Sequence, residues 1–580
     1  MHLIEKLEKK LSDVLKELGY EITAKLEVSN RPDLSEYQFN GAFALAKEYR
    51  KNPNLIAEEI IDALKKESTF KEITNVGGFI NFTLTDEALT SYVNDVLKNN
   101  DINKHLVKDQ RVLLDYGGAN IAKELHVGHL RPANIGEALK RLFAYCGYET
   151  ISDVHLGDWG LPMGLIIREI KERYPNLPYF DEKFDGEYPA QSPVDVKELN
   201  EIYPAASKKS KEDENYLNDA REITSALQKK HPGYYALFKA FSAISVADVK
   251  ELYDKLGAKF DLWEGEYSAE EYINPTLELF QNSGYLRDSK GAKVIDVAED
   301  TDKKEMPPAI VVTSAGSATY ATTDLATLYT RMQRFELDDI IYITDNRQEL
   351  HFTQVFRTAY KTGLVPGHIK MEHIGHGAMT APDGKPFKTR DGGLLSLRGL
   401  IADVTNETRK YIKDNIKEED KDTLAEELAI AAIKYADLLP NPTSDYVFDP
   451  IKFSDLNGKT GPYLIYSTVR MNSLMKKCAE ESIVPGVYKI LGSKEEREII
   501  LNLLKIKSVL EKSLNARALN EVADFVYKLT SSFNAFYGEH EILKQNNPEL
   551  QESWITLTKL IYDTNTELLN ILGLKVPDKI

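Results

Sequence analysis

Residues 112–142, VLLDYGGANIAKELHVGHLRPANIGEALKRL, constrain the fold of this chain more than any other stretch. Residues 112–114 are apolar and run into an acid, a tyrosine and two glycines, a pattern typical of a buried strand that breaks into a tight turn. From Leu130 onward apolar residues recur at helical spacing, which predicts a helix that begins near residues 126–129. A strand, a turn and a helix in this order favour a parallel α/β sheet with its ligand site at the strand's carboxyl end.

The helix N-terminus in this stretch is predicted to bind phosphate. Free backbone N–H groups there carry partial positive charge, Gly128 lets a nucleotide approach closely, and the imidazoles of His126 and His129 can donate to phosphate oxygens. Two other interpretations of a His-x-x-His pair stay open at this point: a purely structural pair, or half of a zinc site.

A second strand and turn repeat the first unit. Residues 149–154 form the predicted strand, which ends in HLGDWG, and residues 161–170 form the next helix. Gly157 and Asp158 are therefore expected to line a second wall of the nucleotide pocket, at the carboxyl ends of a doubly wound parallel sheet.

Length and composition exclude several classes of protein. A chain of 580 residues must divide into several domains, and its 42% hydrophobic and 28% charged residues are typical of a soluble globular protein. The first residues predict an amphipathic helix and not a signal peptide, and Cys146 and Cys478 lack metal-ligand spacing, so we expect a cytoplasmic protein without a resident metal. The net charge of -18 argues only against promiscuous binding of nucleic acid.

The run ANIAKELHVGHLR resembles the first signature of class I aminoacyl-tRNA synthetases, in the form found in arginyl-tRNA synthetases. HLGDWG is similar to the HVGDWG segment of that family, with Leu156 in place of a valine. The chain departs from the family just upstream, where Gly117, Gly118 and Ala119 stand in place of two serines and a proline. The resemblance implies that Gly118, Asn120 and His129 contact arginine.

The resemblance implies that a tyrosine and an acid four residues apart on a helix recognise the arginine side chain. Tyr320 and Asp324 face the same way on a predicted helix, and Gln348 follows a strand at residues 339–343. A guanidinium needs a carboxylate that accepts two parallel bonds, with neutral acceptors for its other donors. Without the resemblance these residues would be interpreted as core packing plus a surface acid; with it, their spacing matches the family's arginine-binding set.

The segment HIGHGAMTAPDGKPFKTRDGG supplies further nucleotide contacts. The resemblance places His376 and Gly377 at ATP, followed by the loop residues Lys385, Lys388 and Arg390 in a degenerate version of the second class I signature, KMSKS. Thr389 stands where the second signature lysine is usual, and the family uses Lys123 in compensation. Lys123, His126, His129 and Lys388 are the predicted catalytic residues, because mobile cations offset charge on the leaving pyrophosphate.

Two terminal regions are predicted to contact tRNA. Tyr37, Gln38 and Asn40 combine an aromatic ring, expected to be exposed, with two amides, which suits stacking on an unpaired base; an ordinary strand and helix cap is the alternative. Near the C-terminus NGKTGPYLIYSTVRMNSLMKK interleaves aromatic and basic residues, either for base stacking or as core aromatics. These regions resemble the N-terminal and anticodon-binding domains of arginyl-tRNA synthetases, and the contacts implied in the second are Tyr463, Tyr466 and Arg470.

The sequence thus predicts a multidomain α/β protein. An N-terminal α+β domain at residues 1–106 precedes a Rossmann-like doubly wound catalytic domain at 107–450, with an insertion near 174–304, and an all-α anticodon-binding bundle at 451–580. The expected reaction joins L-arginine to the terminal adenosine of tRNA(Arg) through arginyl-adenylate, with ATP as substrate, Mg2+ accompanying it, and the chain acting as a monomer away from membranes. A small-molecule nucleotidylyltransferase and a catalytically silent tRNA-binding paralogue are the alternatives.

Overall fold

The computed structural model describes residues 3–31, 33–99, 106, 109–387, 395–412 and 416–580. Three residues of the predicted basic loop, Lys388, Thr389 and Arg390, lie outside these residues.

The N-terminal part is an α+β unit around an antiparallel sheet of order β1-β2-β4-β3. Its elements are α1 (Leu3–Glu17), β1 (Glu27–Val28), β2 (Tyr37–Phe39), α2 (Gly41–Tyr49), α3 (Pro53–Leu64), β3 (Phe70–Val76), β4 (Phe79–Leu84) and α4 (Asp86–Asn99). The sequence from Ala42 to Lys66 predicts one helical run, but the structure has two helices there. Arg50 ends α2 with a left-handed φ of 51°, and Asn52 caps α3 by accepting from the Asn54 N–H.

The central part alternates strands and helices. In chain order it contains β5 (Arg111–Asp115), α5 (Leu130–Tyr145), β6 (Glu149–Asp153), α6 (Leu161–Arg173), α7 (Val196–Glu212), α8 (Glu214–Gln228), α9 (Pro232–Lys255), α10 (Glu266–Ser283), β7 (Leu286–Ser289), β8 (Ala292–Ile295), β9 (Ala309–Val312), α11 (Tyr320–Arg334), β10 (Asp339–Asp345), α12 (Glu349–Lys361) and β11 (Lys370–His376). A short 3-10 turn, Val127–His129, precedes α5, and another, Asn346–Gln348, precedes α12.

A parallel sheet of order β11-β10-β5-β6 forms the centre of the molecule. Its strands end at Asp115, Asp153, Asp345 and His376, so these side chains meet at one edge. The predicted fold class, a doubly wound parallel sheet between an α+β domain and a helical bundle, is confirmed.

The apolar run at residues 309–312 predicts a further strand of the parallel sheet, but this strand does not join that sheet. Instead β9 pairs antiparallel with β8 in a separate three-stranded sheet, β7-β8-β9. Its buried residues Ala309 and Val311 pack against the same core as Leu325. A four-residue apolar strand predicts burial but not the identity of its partner strand, which explains the error.

The C-terminal part is a helical bundle. It comprises β12 (Met379–Thr380), α13 (Leu397–Thr408), α14 (Glu418–Leu438), β13 (Tyr446–Val447), α15 (Pro450–Ser454), α16 (Gly461–Glu480), α17 (Lys494–Leu503), α18 (Ile506–Ala516), α19 (Asn520–Glu539) and α20 (Pro548–Ile571). None of the helices in the described ranges is long and apolar enough to cross a membrane.

Several contacts join the N-terminal unit to this bundle, and one arginine makes three of them. Arg497 of α17 donates to the Glu36 carboxylate at 2.7 Å, to Asp86 at 2.6 Å and to the Leu84 carbonyl at 2.6 Å. Glu36 directly precedes β2 and Leu84 is the last residue of β4, so the bundle holds the ends of the two inner strands of the N-terminal sheet.

Candidate active site

The two histidines of the first signature hold each other through the backbone. Nδ1 of His126 accepts from the Gly128 N–H at 3.0 Å, and Nδ1 of His129 accepts from the His126 N–H at 3.1 Å. In a neutral imidazole whose Nδ1 accepts, the proton is on Nε2. Both rings are therefore fixed as Nε2–H donors, with centroids 4.1 Å apart.

Both rings stay neutral near pH 7. Burial, with a smaller effect of the neighbouring His126, lowers the pKa of His129 to about 3, and burial followed by the Lys123 charge lowers the pKa of His126. The two rings thus offer two N–H donors and add no positive charge of their own. Gly128 is required here, because a Cβ at this position would lie 2.8 Å from the His126 ring.

A cavity of about 540 Å³ opens beside the histidines. His126, Gly128, Arg131, His376 and Gly377 are among its lining residues, together with Asp345, Arg347 and Asp445. The structure therefore brings four of the predicted ATP contacts to one cavity, His126, Gly128, His376 and Gly377.

Gly377 and His376 form the far wall of this cavity. A Cβ on Gly377 would lie 2.5 Å from the Ser444 backbone, so only glycine allows these two backbone segments to approach each other so closely. His376 is buried at the end of β11 and its Nδ1–H donates to the Gly377 carbonyl at 3.0 Å, which leaves Nε2 as an acceptor. Lys385 is exposed near Asp383, and Lys388 and Arg390 lie outside the described residues.

Two predicted ATP contacts have other partners. Gly157 pairs through the backbone with Asn120, and a Cβ on it would lie 2.2 Å from the Asn120 Oδ1. Asp158 does not line the cavity: its carboxylate accepts from the Tyr267 N–H at 2.9 Å at the start of α10. Burial raises the pKa of Asp158 to about 6.

The predicted guanidinium site is built on the first turn of α11. Tyr320 and Asp324 lie one turn apart, Tyr320 is 69% exposed, and Gln348 is exposed beyond β10. Oδ2 of Asp324 lies 2.5 Å from Nε2 of His351 on α12, and Oδ1 lies 3.9 Å from Nε2 of His155. The structure therefore surrounds the predicted carboxylate with two imidazoles. Gly118, with a φ of 59°, and Asn120 lie exposed on the loop after β5.

A second carboxylate, which the sequence did not single out, lies on α10, the helix that packs against α11. Glu266 begins α10, and burial, modulated by His155 and then by the charges of Asp324 and Asp158, raises its pKa to about 7. Its charge also raises the pKa of Tyr320, after burial. An acid in the loosely patterned insertion gave no signal, because only the fold brings α10 beside α11.

Beneath this site the protein already holds one guanidinium of its own. Arg331 is completely buried and donates to Asp115 at 2.6 Å, to Asp153 at 2.7 Å and to the Tyr342 hydroxyl at 3.0 Å. Asp115, Asp153 and His155 are close enough to bind a metal ion, but Arg331 already occupies the two carboxylates. This group is therefore an internal ion pair that supports the strand ends.

His155 connects the internal ion pair to the substrate side. It has a left-handed φ of 37°, and both of its ring nitrogens are buried without a hydrogen-bond partner. Burial acts to lower the pKa of His155, but Asp115, Asp153 and Asp324 outweigh it and raise the pKa. The charges of these three carboxylates therefore favour the protonated form of His155.

The aromatic residue predicted to contact tRNA from the N-terminal sheet, Tyr37, is not at the surface. Tyr37 is buried, so the expectation of an exposed ring at this position is wrong. Side chains alternate along a strand, and in β2 Tyr37 and Phe39 point to the core while Gln38 points outward. Gln38 donates to Asn81 at 2.9 Å and Asn40 donates to Glu27 at 2.9 Å.

An exposed aromatic pair lies on the same unit instead. Phe79 and Phe43 are each 39% exposed, with ring centroids 4.6 Å apart in an edge-on arrangement. Phe79 is two residues before Asn81 on β4, and Asn81 pairs with Gln38, so the three side chains share one face of the sheet. The exposed ring on this face of the sheet is therefore Phe79 and not Tyr37.

The C-terminal residues lie along α16. Tyr463 is half-buried and its hydroxyl accepts from the Asn534 amide at 2.8 Å, whereas Arg470 is exposed and lies 4.4 Å from the centroid of Tyr537. Tyr466 is half-buried on the same helix. Arg470 therefore has the surface position that a nucleic-acid contact requires.

A parallel sheet with paired Nε2–H donors at a helix start, a nucleotide-sized cavity and a helical C-terminal bundle defines the class I aminoacyl-tRNA synthetases. Family models agree: tRNA synthetases class I (R), catalytic domain, matches residues 92–450, arginyl tRNA synthetase N terminal domain matches residues 1–84, and DALR anticodon binding domain matches residues 464–580.

Relatives of known function and a solved structure match this chain over its whole length. The arginine–tRNA ligase of Alkaliphilus oremlandii is 41% identical over 583 residues, covering 100% of this chain and 99% of the relative, and that of Agathobacter rectalis is 40% identical over 599 residues, with the same coverage. The crystal structure of arginyl-tRNA synthetase from Plasmodium falciparum has a TM-score of 0.80 at 26% identity, covering 100% of this chain and 99% of that one. The chain belongs to the arginyl-tRNA synthetases. It is an arginine–tRNA ligase, which uses ATP to join arginine to tRNA(Arg).

Proposed function

We propose that the substrate's guanidinium binds between Asp324 of α11 and Glu266 of α10, with Tyr320 and Gln348 completing its hydrogen bonds. The observation that carries this proposal is the position of Asp324, held by His351 and close to His155, on a helix that packs against α10, where Glu266 is close enough for the Asp324 charge to raise its pKa. Two carboxylates hold Arg331 in the same way one layer below. The negative charge of the site would thus be complementary to the positive charge of a free arginine side chain.

Activation then depends on positioning. The arginine carboxylate attacks the α-phosphate of ATP, the bond from that phosphorus to the bridging oxygen breaks, and pyrophosphate leaves with the electron pair. His126 and His129 donate their Nε2–H groups to the oxygens on which negative charge increases. Because both donors are fixed beforehand by Gly128 and by each other, they need no reorganisation during the reaction.

Transfer follows without a protein nucleophile. A hydroxyl of the terminal adenosine of tRNA attacks the carbonyl carbon of arginyl-adenylate, and AMP leaves. The contribution of the enzyme to both steps is orientation and electrostatic stabilisation, so a catalytic triad is not needed.

Cations assist the departure of pyrophosphate. We propose that Mg2+ enters with ATP as a substrate ion, held by phosphate oxygens and water, because Mg2+ keeps most of its water and prefers oxygen ligands. Lys123, beside the histidines, and the loop residues Lys385, Lys388 and Arg390 supply the remaining positive charge.

Two surfaces are proposed to contact tRNA. On the N-terminal sheet they are the amides of Gln38 and Asn40 with the Phe79 ring, and on the bundle they are Arg470 and the edges of Tyr463 and Tyr466. Arg497 fixes the first surface to the helical bundle that carries the second surface, which suits recognition of one rigid tRNA at two places.

We propose domains at residues 1–106, 107–450 and 451–580, a monomeric enzyme, and function in the cytoplasm. The two free cysteines, Cys146 and Cys478, are buried, which suits a reducing compartment.

Charging of total tRNA with each of the twenty amino acids, one at a time and with ATP, tests the proposed site. Arginine alone should be esterified, and citrulline, which has the same shape without the charge, should neither be charged nor compete. Competition by citrulline as strong as that by unlabelled arginine would contradict guanidinium recognition by Asp324 and Glu266.

A further inference from the structure

The helical insertion reaches the active site at one lysine. Lys123 lies on the loop between β5 and the histidine turn, and its ammonium lies 4.7 Å from the ring centroid of Tyr203 on α7. A lysine at this distance over a tyrosine face is attracted by the negative potential of the ring. Tyr203 is itself half-buried, packed against the core that contains Ile121 and Ala122.

The backbone of the same loop is also held by the insertion. Ala122 adopts a left-handed φ of 56°, which an L-residue with a Cβ adopts only at a cost. Its N–H donates to the hydroxyl of Ser245 on α9 at 2.8 Å, and Ser245 is 5% exposed. Two insertion helices thus fix one strained loop residue and the side chain of the next.

The ammonium of Lys123 is close enough to the histidines to act on them. Its charge contributes to lowering the pKa of both His126 and His129. The direction in which the Lys123 side chain points therefore decides how much positive charge reaches the phosphate end of the site.

We propose that Tyr203 is a positioning residue, which keeps the Lys123 ammonium beside the leaving pyrophosphate through its aromatic face. The inference rests on the proposed role of Lys123 in activation. A free lysine side chain loses rotamer entropy when its ammonium is held in one place, so a ring that restricts the side chain before ATP binds lowers the cost of placing the charge. The insertion then does more than enlarge the catalytic domain, since it shapes the first signature.

The full-length enzyme with Tyr203→Leu, Tyr203→Phe, Lys123→Ala and the double variant Lys123→Ala/Tyr203→Leu tests this proposal. The measurement is arginine-dependent pyrophosphate exchange in the presence of tRNA, with kcat and the KM for arginine determined separately. Tyr203→Leu should lower kcat by roughly threefold to tenfold, the range of an exposed to partly desolvated cation–π contact, and leave the KM for arginine unchanged. Tyr203→Phe keeps the ring face and should retain the parental kcat.

The double variant separates positioning from support of the fold. If Tyr203 acts through Lys123, then Tyr203→Leu should have no further effect once Lys123 is alanine. Additive losses, or a loss in Tyr203→Phe equal to that in Tyr203→Leu, would overturn the inference. A raised KM for arginine would do so too, because it would assign Tyr203 to the nearby Tyr320 instead.

Tyr234→Leu is the matched control. Tyr234 lies in the same insertion, is half-buried, and has the ammonium of Lys171 at 5.9 Å from its ring centroid, away from the described cavity. The kcat of Tyr234→Leu should equal that of the parent.

The Lys123→Ala variant separates the two proposals. If Lys123→Ala has the parental kcat, the proposed role of Lys123 fails, and the inference about Tyr203 fails with it. If only Lys123→Ala is slow, the proposed function stands and the inference alone fails.

Discussion

Nε2 of His351 on α12 lies 2.5 Å from Oδ2 of Asp324 on α11, so the carboxylate of the proposed guanidinium site is held by the neighbouring helix. His155 lies 3.9 Å from the other oxygen. The carboxylate therefore cannot rotate freely, and the direction in which it accepts a guanidinium is set before arginine arrives. Preorganisation of this kind favours both affinity and discrimination.

Asp324→Asn should raise the KM for arginine by roughly two orders of magnitude. Removing one member of a buried ion pair costs about 3 to 5 kcal/mol, and the side chain of Asp324 is 20% exposed, so the lower end of that range applies, at about 1.4 kcal/mol per tenfold. The KM for ATP should barely change, and discrimination against citrulline should fall. Steady-state charging with both amino acids measures these effects.

A neutralised surface acid serves as the control for Asp324. Glu336→Gln removes the same charge from an exposed position just after α11 and should leave the KM for arginine unchanged. The melting temperatures of both variants should match that of the parent. Normal arginine charging by Asp324→Asn, with citrulline still rejected, would place the guanidinium site elsewhere.

Glu266 should make arginine binding depend on pH. Its pKa is raised to about 7, so in the empty site a fraction of the side chain is protonated at neutral pH. A guanidinium prefers the ionised carboxylate, so the KM for arginine should fall as the pH rises from 6 to 8. Glu266→Gln should raise the KM and abolish this slope; a slope that persists in the variant would exclude Glu266 as its source.

The histidines should act as fixed neutral donors. His126→Ala and His129→Ala should each lower kcat by about 100-fold, as expected for loss of one preorganised donor. Glutamine at either position keeps an N–H donor near the place of Nε2 and should lose less. Because the pKa of His129 is about 3, the parental kcat should show no inflection from this histidine between pH 5 and 8, and pH-rate profiles of activation at saturating arginine would reveal one if it existed.

The features that could be predicted from the sequence are those that local pattern specifies. The apolar run 112–114, the two glycines and the helical repeat after Leu130 located the sheet and the histidine turn, because strand, turn and cap are determined by neighbouring residues. Tyr320 and Asp324 were found on the same helix face by their spacing, and their role came from family resemblance.

The remaining contacts depend on segments far apart in the sequence. Glu266, His351 and Tyr203 meet the site from three different helices, and no local pattern distinguishes them from other polar or aromatic residues of those helices. The partner of β9 was missed for the same reason. Tyr37 shows the complementary error, because a three-residue strand is too short for alternation to indicate which face is buried.

The exposed ring of Phe79 and the buried ring of Tyr37, both on the N-terminal sheet, should respond differently to substitution. Phe79→Ala removes a 39% exposed ring and should raise the KM for tRNA(Arg) by about tenfold, since stacking on one base contributes about 1 to 3 kcal/mol. The KM for arginine and the melting temperature should change little. Charging at varied tRNA concentration measures the first effect and thermal unfolding the last.

Tyr37→Ala should instead act on stability. The ring is 4% exposed, so its removal should lower the free energy of unfolding by about 3 kcal/mol through the cavity that it leaves. The hydroxyl of Tyr37 is buried without a hydrogen-bond partner, so Tyr37→Phe removes an unsatisfied polar group and should leave stability unchanged or raise it by about 1 kcal/mol. A raised KM for tRNA in Tyr37→Phe, with full stability, would restore Tyr37 as a direct contact through its hydroxyl and would contradict the assignment of stacking to Phe79.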